Sequence, residues 1–152
     1  MLSYLSVICN NEFSDVTIAA LEKSRAVFPL PVIYICPPNC SVPTHLGYKV
    51  IHLDIDYKDY SEWMIKELHN YIDVAHVITI QYDSCVINKD FWSDVYLSYD
   101  YIGAPWPNAW SNRVGNGGFS LRSYEYARQT AALNYIKTDH KILNAEDYFA
   151  CV

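Results

Sequence analysis

The chain has 152 residues, of which 51% are hydrophobic and 15% aromatic, and this composition can supply the core of one folded domain. Its formal net charge is −6, and its Lys and Arg residues form no cluster along the sequence, which argues against nucleic acid as a partner. The sequence contains no apolar run that could cross a bilayer and no recognisable secretory leader. We therefore expect a cytoplasmic protein without a membrane span.

The five cysteines do not form a recognisable framework of disulfides or metal ligands. Cys36 and Cys40 have the spacing of half a zinc site, but no second Cys/His pair has suitable spacing. An odd number of cysteines, several of them in or beside apolar runs, is typical of buried thiols that pack as small hydrophobic groups.

Strand and helix signals alternate through the first half of the chain. Short apolar runs predict four buried strands, at residues 4–9, 32–36, 48–53 and 76–80. A helix is predicted to begin at Ser14 or Asp15, and another to begin with Ser61 as its cap. The second helix would present one apolar face, formed by Met64, Ile65, Leu68, Tyr71 and Ile72.

Buried strands that alternate with helices predict βαβ units around a mostly parallel sheet with helices on both faces. Residues 90–112 lack periodicity and predict long ordered loops, and a further helix is predicted at residues 124–135. The chain contains no linker or repeat, so one domain over residues 1–152 is expected. Ligands of such sheets bind at the carboxyl ends of the strands, which carry Asn10, Asn11, Asp54, Asp56 and Asp83.

Two acidic segments compete as a metal site. Asp83 follows the fourth predicted strand, and its carboxylate suits a hard divalent cation, although such an Asp can also end a strand by bonding to nearby backbone. His52, Asp54 and Asp56 alternate along the third strand and include an Asp-x-Asp pattern, but they can equally form a solvated edge. The residues alone leave both alternatives open.

Two further segments have functional and structural interpretations. The run Gly-Asn-Gly-Gly-Phe-Ser-Leu-Arg at residues 115–122 has a glycine density that indicates positive φ or the close approach of another group. Glu146 and Asp147 precede an apolar tail. They can cap a helix, or they can act as a general base on an acceptor hydroxyl.

Four sequence blocks in order carry a resemblance to a known family: QYD at residues 81–83, YDYIGAPW at 99–106, GNGGFSLR at 115–122 and ED at 146–147. The combination resembles an uncharacterised family that is similar to the GT-A glycosyltransferases. Those enzymes use nucleotide sugars and are built on a Rossmann-like sheet. The resemblance implies an α/β, Rossmann-like GT-A fold and the transfer of a sugar from a nucleotide-sugar donor to the hydroxyl of a glycan or other acceptor.

The resemblance also implies residue roles. Asp83 would hold Mn²⁺ or Mg²⁺ against the donor diphosphate, and Glu146 and Asp147 would bind or deprotonate the acceptor hydroxyl. Arg122 would anchor the glycine segment or face phosphate, and Trp106 and Trp110 would stack on a sugar or cover the core. The donor-binding residues implied in this way are Asn10, Gln81, Asp83, Trp106, Gly117, Gly118 and Arg122.

Two departures from the resemblance leave alternatives open. The metal motif has one Asp where many such enzymes have two, and the chain ends five residues after Asp147, where related transferases continue. The fold would then be short at its C-terminus. The alternative function is a nucleotide-sugar or carbohydrate-binding module without turnover, and a further alternative is an assembly protein with Tyr-rich loops as its interface.

Overall fold

The computed structural model of this protein describes residues 1–105 and 115–136, in which six strands form one sheet with helices on both sides. The strands are β1 (Leu2–Val7), β2 (Val32–Cys36), β3 (Lys49–His52), β4 (His76–Ile80), β5 (Tyr101–Ala104) and β6 (Asn116–Ser123). The α-helices of the described residues are α1 (Ser14–Val27), α2 (Tyr60–Lys66) and α3 (Tyr124–Ala132).

The sheet combines a parallel half with an antiparallel half. Its strand order is β3-β2-β1-β4-β6-β5, and the first four of these strands are parallel. β6 runs antiparallel to β4, with Phe119 opposite Ile80, and β5 runs antiparallel to β6. The start of β6 therefore lies at the carboxyl ends of the parallel strands. The predicted α/β class with a mostly parallel sheet is confirmed at this level.

Each face of the sheet has its own apolar core. On one face, Ala20 and Leu21 of α1 pack with Tyr4 and Tyr34, both of which are fully buried. On the other face, α2 and α3 pack against a cluster that includes Leu5, Ile35, Met64, Val77 and Ala127. Burial on both faces explains why the central strands read as continuous apolar runs in the sequence.

Several predicted boundaries are wrong. β1 begins and ends two residues earlier than the predicted 4–9, and α3 ends at Ala132 instead of residue 135. β3 ends at His52, so Asp54 and Asp56 lie beyond the strand and do not share a strand face with His52. α2 begins at Tyr60, with Ser61 inside the helix instead of at its cap. It ends at Lys66, and a short 3-10 turn at Leu68–Asn70 follows, so the residues of the predicted single helix face are divided between α2, this turn and the two residues after it.

The sequence analysis missed both antiparallel strands. The glycine segment at residues 115–122, to which no strand was assigned, forms most of β6, and part of the expected loop region is β5. A register shift between Gly103 and Ala104 interrupts their pairing. A Cβ atom at Gly103 would lie 3.1 Å from both the Asn116 carbonyl oxygen and the Gly115 carbonyl carbon, so this irregular pairing needs a glycine.

Candidate functional site

A cleft of about 610 Å³ opens at the carboxyl ends of β1 and β4. The sheet order reverses between these two strands, since β2 and β3 lie to one side of β1 and β6 lies beyond β4. In open α/β sheets such a reversal leaves a crevice in which ligands bind. The cleft is lined by Val7, Ile8, Cys9, Asn10, Phe13, Thr17, Tyr57, Tyr60, Ser61, Gln81 and Tyr82.

Aromatic side chains dominate the walls of the cleft. The rings of Phe13 and Tyr82 stack with their centroids 4.9 Å apart, although Phe13 lies between β1 and α1 and Tyr82 lies in the segment after β4. Tyr57 is 84% exposed, and Tyr60 stands beside it at the start of α2. Flat, partly exposed rings of this kind suit a flat or amphipathic ligand, because stacking needs contact area and no fixed hydrogen-bond pattern.

A buried hydroxyl in the cleft lacks a hydrogen-bond partner among the described residues. Thr17 belongs to α1 and has 0% exposure, and its Oγ1 atom accepts or donates no bond within this part of the chain. The Oδ1 atom of Asn11, in the turn before α1, is in the same situation. Most buried polar atoms in native proteins are paired, and of these two residues only Thr17 lines the cleft, so its hydroxyl is the place where a ligand atom would gain a partner.

Asn10 lies at a strand end, as the parallel-sheet argument predicts, and Gln81, which the resemblance implies, lies at the end of the neighbouring strand. Asn10 follows β1 and is exposed, and its Oδ1 accepts a bond of 2.9 Å from the Glu12 amide, which begins the short turn before α1. Gln81 follows β4, and its Nε2 donates to the Tyr60 hydroxyl at 3.4 Å. Both side chains line the cleft, so the structure brings these two predicted residues together.

Gly118, the third glycine of the GNGGFSLR run, packs directly against the cleft. A Cβ atom at Gly118 would lie 2.6 Å from Oε1 of Gln81 and 3.3 Å from Oδ1 of Asn116. The Gly118 amide also donates to that Asn116 oxygen at 2.9 Å. The close approach that the glycine density indicated is thus made, at Gly118, by the Gln81 amide group of the protein itself.

Arg122 is buried and forms hydrogen bonds to the glycine segment. It is 2% exposed, and its Nε donates to the Ser120 hydroxyl at 3.0 Å while an Nη atom donates to the Gly117 carbonyl at 3.3 Å. Its guanidinium also lies 5.5 Å from the ring centroid of Tyr101. Of the two roles implied for Arg122, these contacts favour the anchor of the segment.

Asp83 lies at the same edge as the cleft. It is exposed, in a turn that the Ser84 amide closes by donating to the Gln81 carbonyl at 3.1 Å. The competing Asp56 is engaged locally, because it accepts from the Lys58 amide and pairs with the Lys58 ammonium at 2.9 Å. Within residues 1–105 and 115–136, no three His, Cys, Asp or Glu side chains converge as a metal site.

The Cys9 thiol is held in its neutral form on the cleft wall. Burial raises the pKa of Cys9 to about 11, and the nearby negative charge of Asp56 adds to this shift. A thiolate is the nucleophilic and metal-binding form of cysteine. Cys9 therefore contributes to the cleft as a weakly polar wall and not as a nucleophile at neutral pH.

Four residues of the sequence-based site lie outside the described residues, namely Trp106, Trp110, Glu146 and Asp147. The sequence analysis in turn gave no role to four residues that line the cleft, Phe13, Thr17, Tyr57 and Tyr82. The sequence contains 14 Tyr residues, and this high count is the available signal for the aromatic walls, because Tyr suits polar ligand sites. The count does not identify which rings form the walls.

The described helices are too short or too polar to pass through a bilayer. In the comparison with protein families, the family described as a protein of unknown function, DUF5672, matches residues 49–152. The matched region begins at β3 and includes α2, β4, β5 and β6. No curated protein matches the chain.

Proposed function

The chain belongs to the DUF5672 family of proteins of unknown function, and we propose that it is a glycosyltransferase with a GT-A-like fold. It would move a sugar from a nucleotide-sugar donor to the hydroxyl of a glycan or other acceptor. The observation that carries this proposal is the cleft between β1 and β4, where aromatic rings and the unpartnered Thr17 hydroxyl lie at the carboxyl edge of the parallel strands.

The strand order supports a nucleotide as the ligand class. The run β3-β2-β1-β4 is the order of the first strands in doubly wound nucleotide-binding sheets, and nucleotides bind there at the reversal between strands 1 and 4. The Phe13 and Tyr82 rings offer surfaces on which a base can stack, and Thr17 offers a hydroxyl to its polar edge. The diphosphate would then point along the edge toward Asp83.

Asp83 fits a divalent cation as a single carboxylate ligand. Mg²⁺ is commonly bound by one or two carboxylates together with substrate phosphates, so one exposed Asp at this edge meets the minimum requirement. Bound Mn²⁺ or Mg²⁺ would offset the negative charge of the departing diphosphate. Asp83 would hold the ion, while Gln81 and the β6 backbone at Gly117 and Gly118 would form the adjacent floor.

The proposed reaction breaks the bond between the anomeric carbon of the sugar and the diphosphate oxygen, and forms a bond from that carbon to the acceptor oxygen. The acceptor hydroxyl must lose a proton as this bond forms. From the family resemblance, Asp147 or Glu146 would accept this proton or hold the hydroxyl. The nucleoside diphosphate leaves with the electron pair of the broken bond.

The test is a screen of nucleotide sugars for thermal stabilisation with Mn²⁺, since a ligand that binds the native state raises the apparent stability. We expect stabilisation by at least one UDP- or GDP-sugar. Asp83→Asn should reduce this stabilisation when Mn²⁺ is present, and Thr17→Val should reduce it both with and without Mn²⁺. Asp73→Asn is the matched control, because Asp73 is an exposed carboxylate that precedes β4, whereas Asp83 follows it. Asp73 forms an ion pair with Lys49.

Release of nucleoside diphosphate then separates turnover from binding alone. Transfer or slow donor hydrolysis supports the enzyme, whereas stabilisation without any release supports the binding module. If no nucleotide sugar stabilises the protein, or if Asp83→Asn and Asp73→Asn bind the donor with Mn²⁺ equally well, the donor site or its metal assignment is wrong.

A further inference from the structure

A second cavity, separate from the cleft, lies on the α1 side of the sheet. It has a volume of about 380 Å³ and is covered by the segment between β4 and β5. Its wall is formed by apolar side chains of β4, β5 and β6, among them Ile78, Ile102, Phe119 and Leu121. This volume and apolar lining match the pockets in which proteins bind small molecules.

Aromatic rings close the outer side of this cavity. Phe28 and Trp92 have ring centroids 5.4 Å apart, and Trp92 meets Tyr96 edge to face at 5.6 Å. Phe91 also lines the cavity and remains 78% exposed. These rings therefore pack against one another at the outer side of the cavity. Among the described residues, no side chain fills the space behind them.

The covering segment is fixed in place next to α1. The Val86 amide donates to the Ser24 hydroxyl at 3.0 Å, and the Trp92 indole donates to Asp94 at 3.0 Å. Two side-chain caps order its short turns: Asn88 accepts from the Asp90 amide, and Ser93 accepts from the Val95 amide. The cavity is thus a preformed feature of the fold.

The cavity and the cleft share a strand. Gly118 contacts Gln81 of the cleft, and the next residue of β6, Phe119, lines the cavity. A ligand that fills the cavity would therefore lie next to the part of β6 that forms the floor of the proposed donor site.

Charge at the cavity favours one kind of ligand. Its described lining includes Lys89 but no Asp or Glu, although the whole chain has a formal net charge of −6. The Lys89 ammonium makes no ion pair within residues 1–105 and 115–136. A cation at an apolar cavity complements an amphiphile with a negative head group.

We propose that this cavity holds the alkyl or aryl chain of an anionic acceptor, with Lys89 facing its phosphate or carboxylate. This inference rests on the proposed glycosyltransferase function and adds the class of acceptor to it. The chain would gain apolar contacts in the cavity, and the acceptor hydroxyl would be directed past Phe119 toward the donor site.

The direct test is saturation-transfer NMR with octyl phosphate, octyl β-glucoside and methyl phosphate on the whole protein. We expect saturation on the octyl protons, and binding of octyl phosphate on the order of tenfold or more tighter than methyl phosphate because of the buried methylene groups. Val86→Phe should remove most of this binding by filling the cavity. Lys89→Gln should weaken octyl phosphate about threefold or more and leave octyl glucoside unchanged.

Matched controls are Val16→Phe and Lys23→Gln, which make the same substitutions at exposed positions of α1 that do not line the cavity. If Val86→Phe fails to fold, Ala104→Leu fills the same cavity from β5. Equal octyl phosphate affinity in the filled and control variants would overturn the proposal. So would a concentration-dependent dimer that Val86→Phe dissociates, because a second copy would then cover the cavity.

Thermal stabilisation by nucleotide sugars, measured on the same samples, separates the two proposals. Donor binding without octyl phosphate binding would overturn the acceptor class alone and leave the proposed function standing. Octyl phosphate binding without any donor binding would overturn the assignment as an acceptor site together with the proposed function. Transfer of sugar to an octyl-linked anionic acceptor would support both.

Discussion

Two glycines of this chain occupy their positions for different physical reasons. Gly47 has φ of +66° at the end of a short turn, with no atom near the position of a Cβ. Gly118 has no such backbone requirement, but a Cβ there would meet the amide of Gln81 at 2.6 Å. One glycine is therefore needed for backbone conformation, and the other leaves space for a neighbouring side chain.

Alanine substitutions should separate these two reasons. Gly47→Ala should lower the free energy of unfolding by about 1 kcal/mol, because a side chain is disfavoured at positive φ. Gly118→Ala should cost less than this, because the end of the flexible Gln81 side chain can move away. It should nevertheless weaken nucleotide-sugar binding, since Gln81 leaves its position in the cleft.

Urea unfolding and ligand titration on both variants measure these effects, and each variant is the control for the other. A Gly118→Ala protein with unchanged donor affinity would argue against a role for Gln81 in the site. A Gly47→Ala protein with weakened donor affinity would mean that the cleft responds to general destabilisation.

The helix starts show how local sequence can mislead about an element. Ser123 is a true cap of α3, since its hydroxyl accepts from the Tyr126 amide at 2.9 Å and donates to Asp100 at 2.7 Å. Ser61 has the residue type and spacing of a cap, yet it lies one residue inside α2, where Asp59 is the cap residue without a side-chain bond. Sequence spacing alone does not distinguish these two serines.

Replacement of each serine by alanine should therefore give different stabilities. Ser123→Ala should lower the free energy of unfolding by about 1–2 kcal/mol. The reason is that the helix cap is lost together with the hydrogen bond to Asp100, the residue before β5. Ser61→Ala should change it by less than about 0.5 kcal/mol, since alanine is favoured inside a helix. Chemical denaturation followed by circular dichroism measures both, and equal losses would contradict the assigned caps.

The elements that could be predicted are those whose own residue types indicate that they are buried. β2 and β4 are continuous apolar runs because both faces are covered, and their predicted bounds agree with the structure. β5 and β6 could not be predicted in this way. They are rich in glycine or only half-buried, and β6 depends on pairing with β4, which lies about forty residues earlier in the chain.

The same distinction applies to the candidate site. Asn10 could be predicted because the ends of parallel strands meet at one edge of a sheet, whereas Gln81 was implied by the resemblance. Thr17 and Tyr57 could not, because they reach the cleft from α1 and from the turn before α2, and no local pattern fixes how those segments pack. The stacking of Phe13 on Tyr82 likewise arises only in the folded chain.

At the scale of the whole molecule, the core holds several phenols and thiols in their neutral forms. Burial raises the pKa of Tyr4 to about 12 and that of Cys36 to about 12, and it also raises the pKa values of Tyr34 and Tyr48. Cys9 in the cleft shows the same direction, with a pKa of about 11. In the unfolded chain these groups ionise near their ordinary values of about 8.5 for Cys and 10 for Tyr.

The protein should therefore lose stability in alkaline solution. Groups with raised folded pKa values stabilise the fold fully below their unfolded pKa, and this contribution disappears as pH rises toward the folded value. We expect the free energy of unfolding to fall by about 2 kcal/mol or more between about pH 8 and pH 11. Urea midpoints across this range measure the effect.

Cys9→Ser should remove the part of this decline that Cys9 contributes, because serine does not ionise in the range. A free energy of unfolding that stays constant up to about pH 11 would contradict the burial of these groups.

The irregular pairing of β5 and the short length of β3 have a consequence for how copies of the protein behave in concentrated solution. These two strands are the outer strands of the described sheet, where unpaired backbone groups can recruit another chain. β3 has four residues and begins with Lys49, and β5 has a register shift at Gly103. Both features disfavour edge-to-edge addition of strands, so the sheet itself is protected against growth into aggregates.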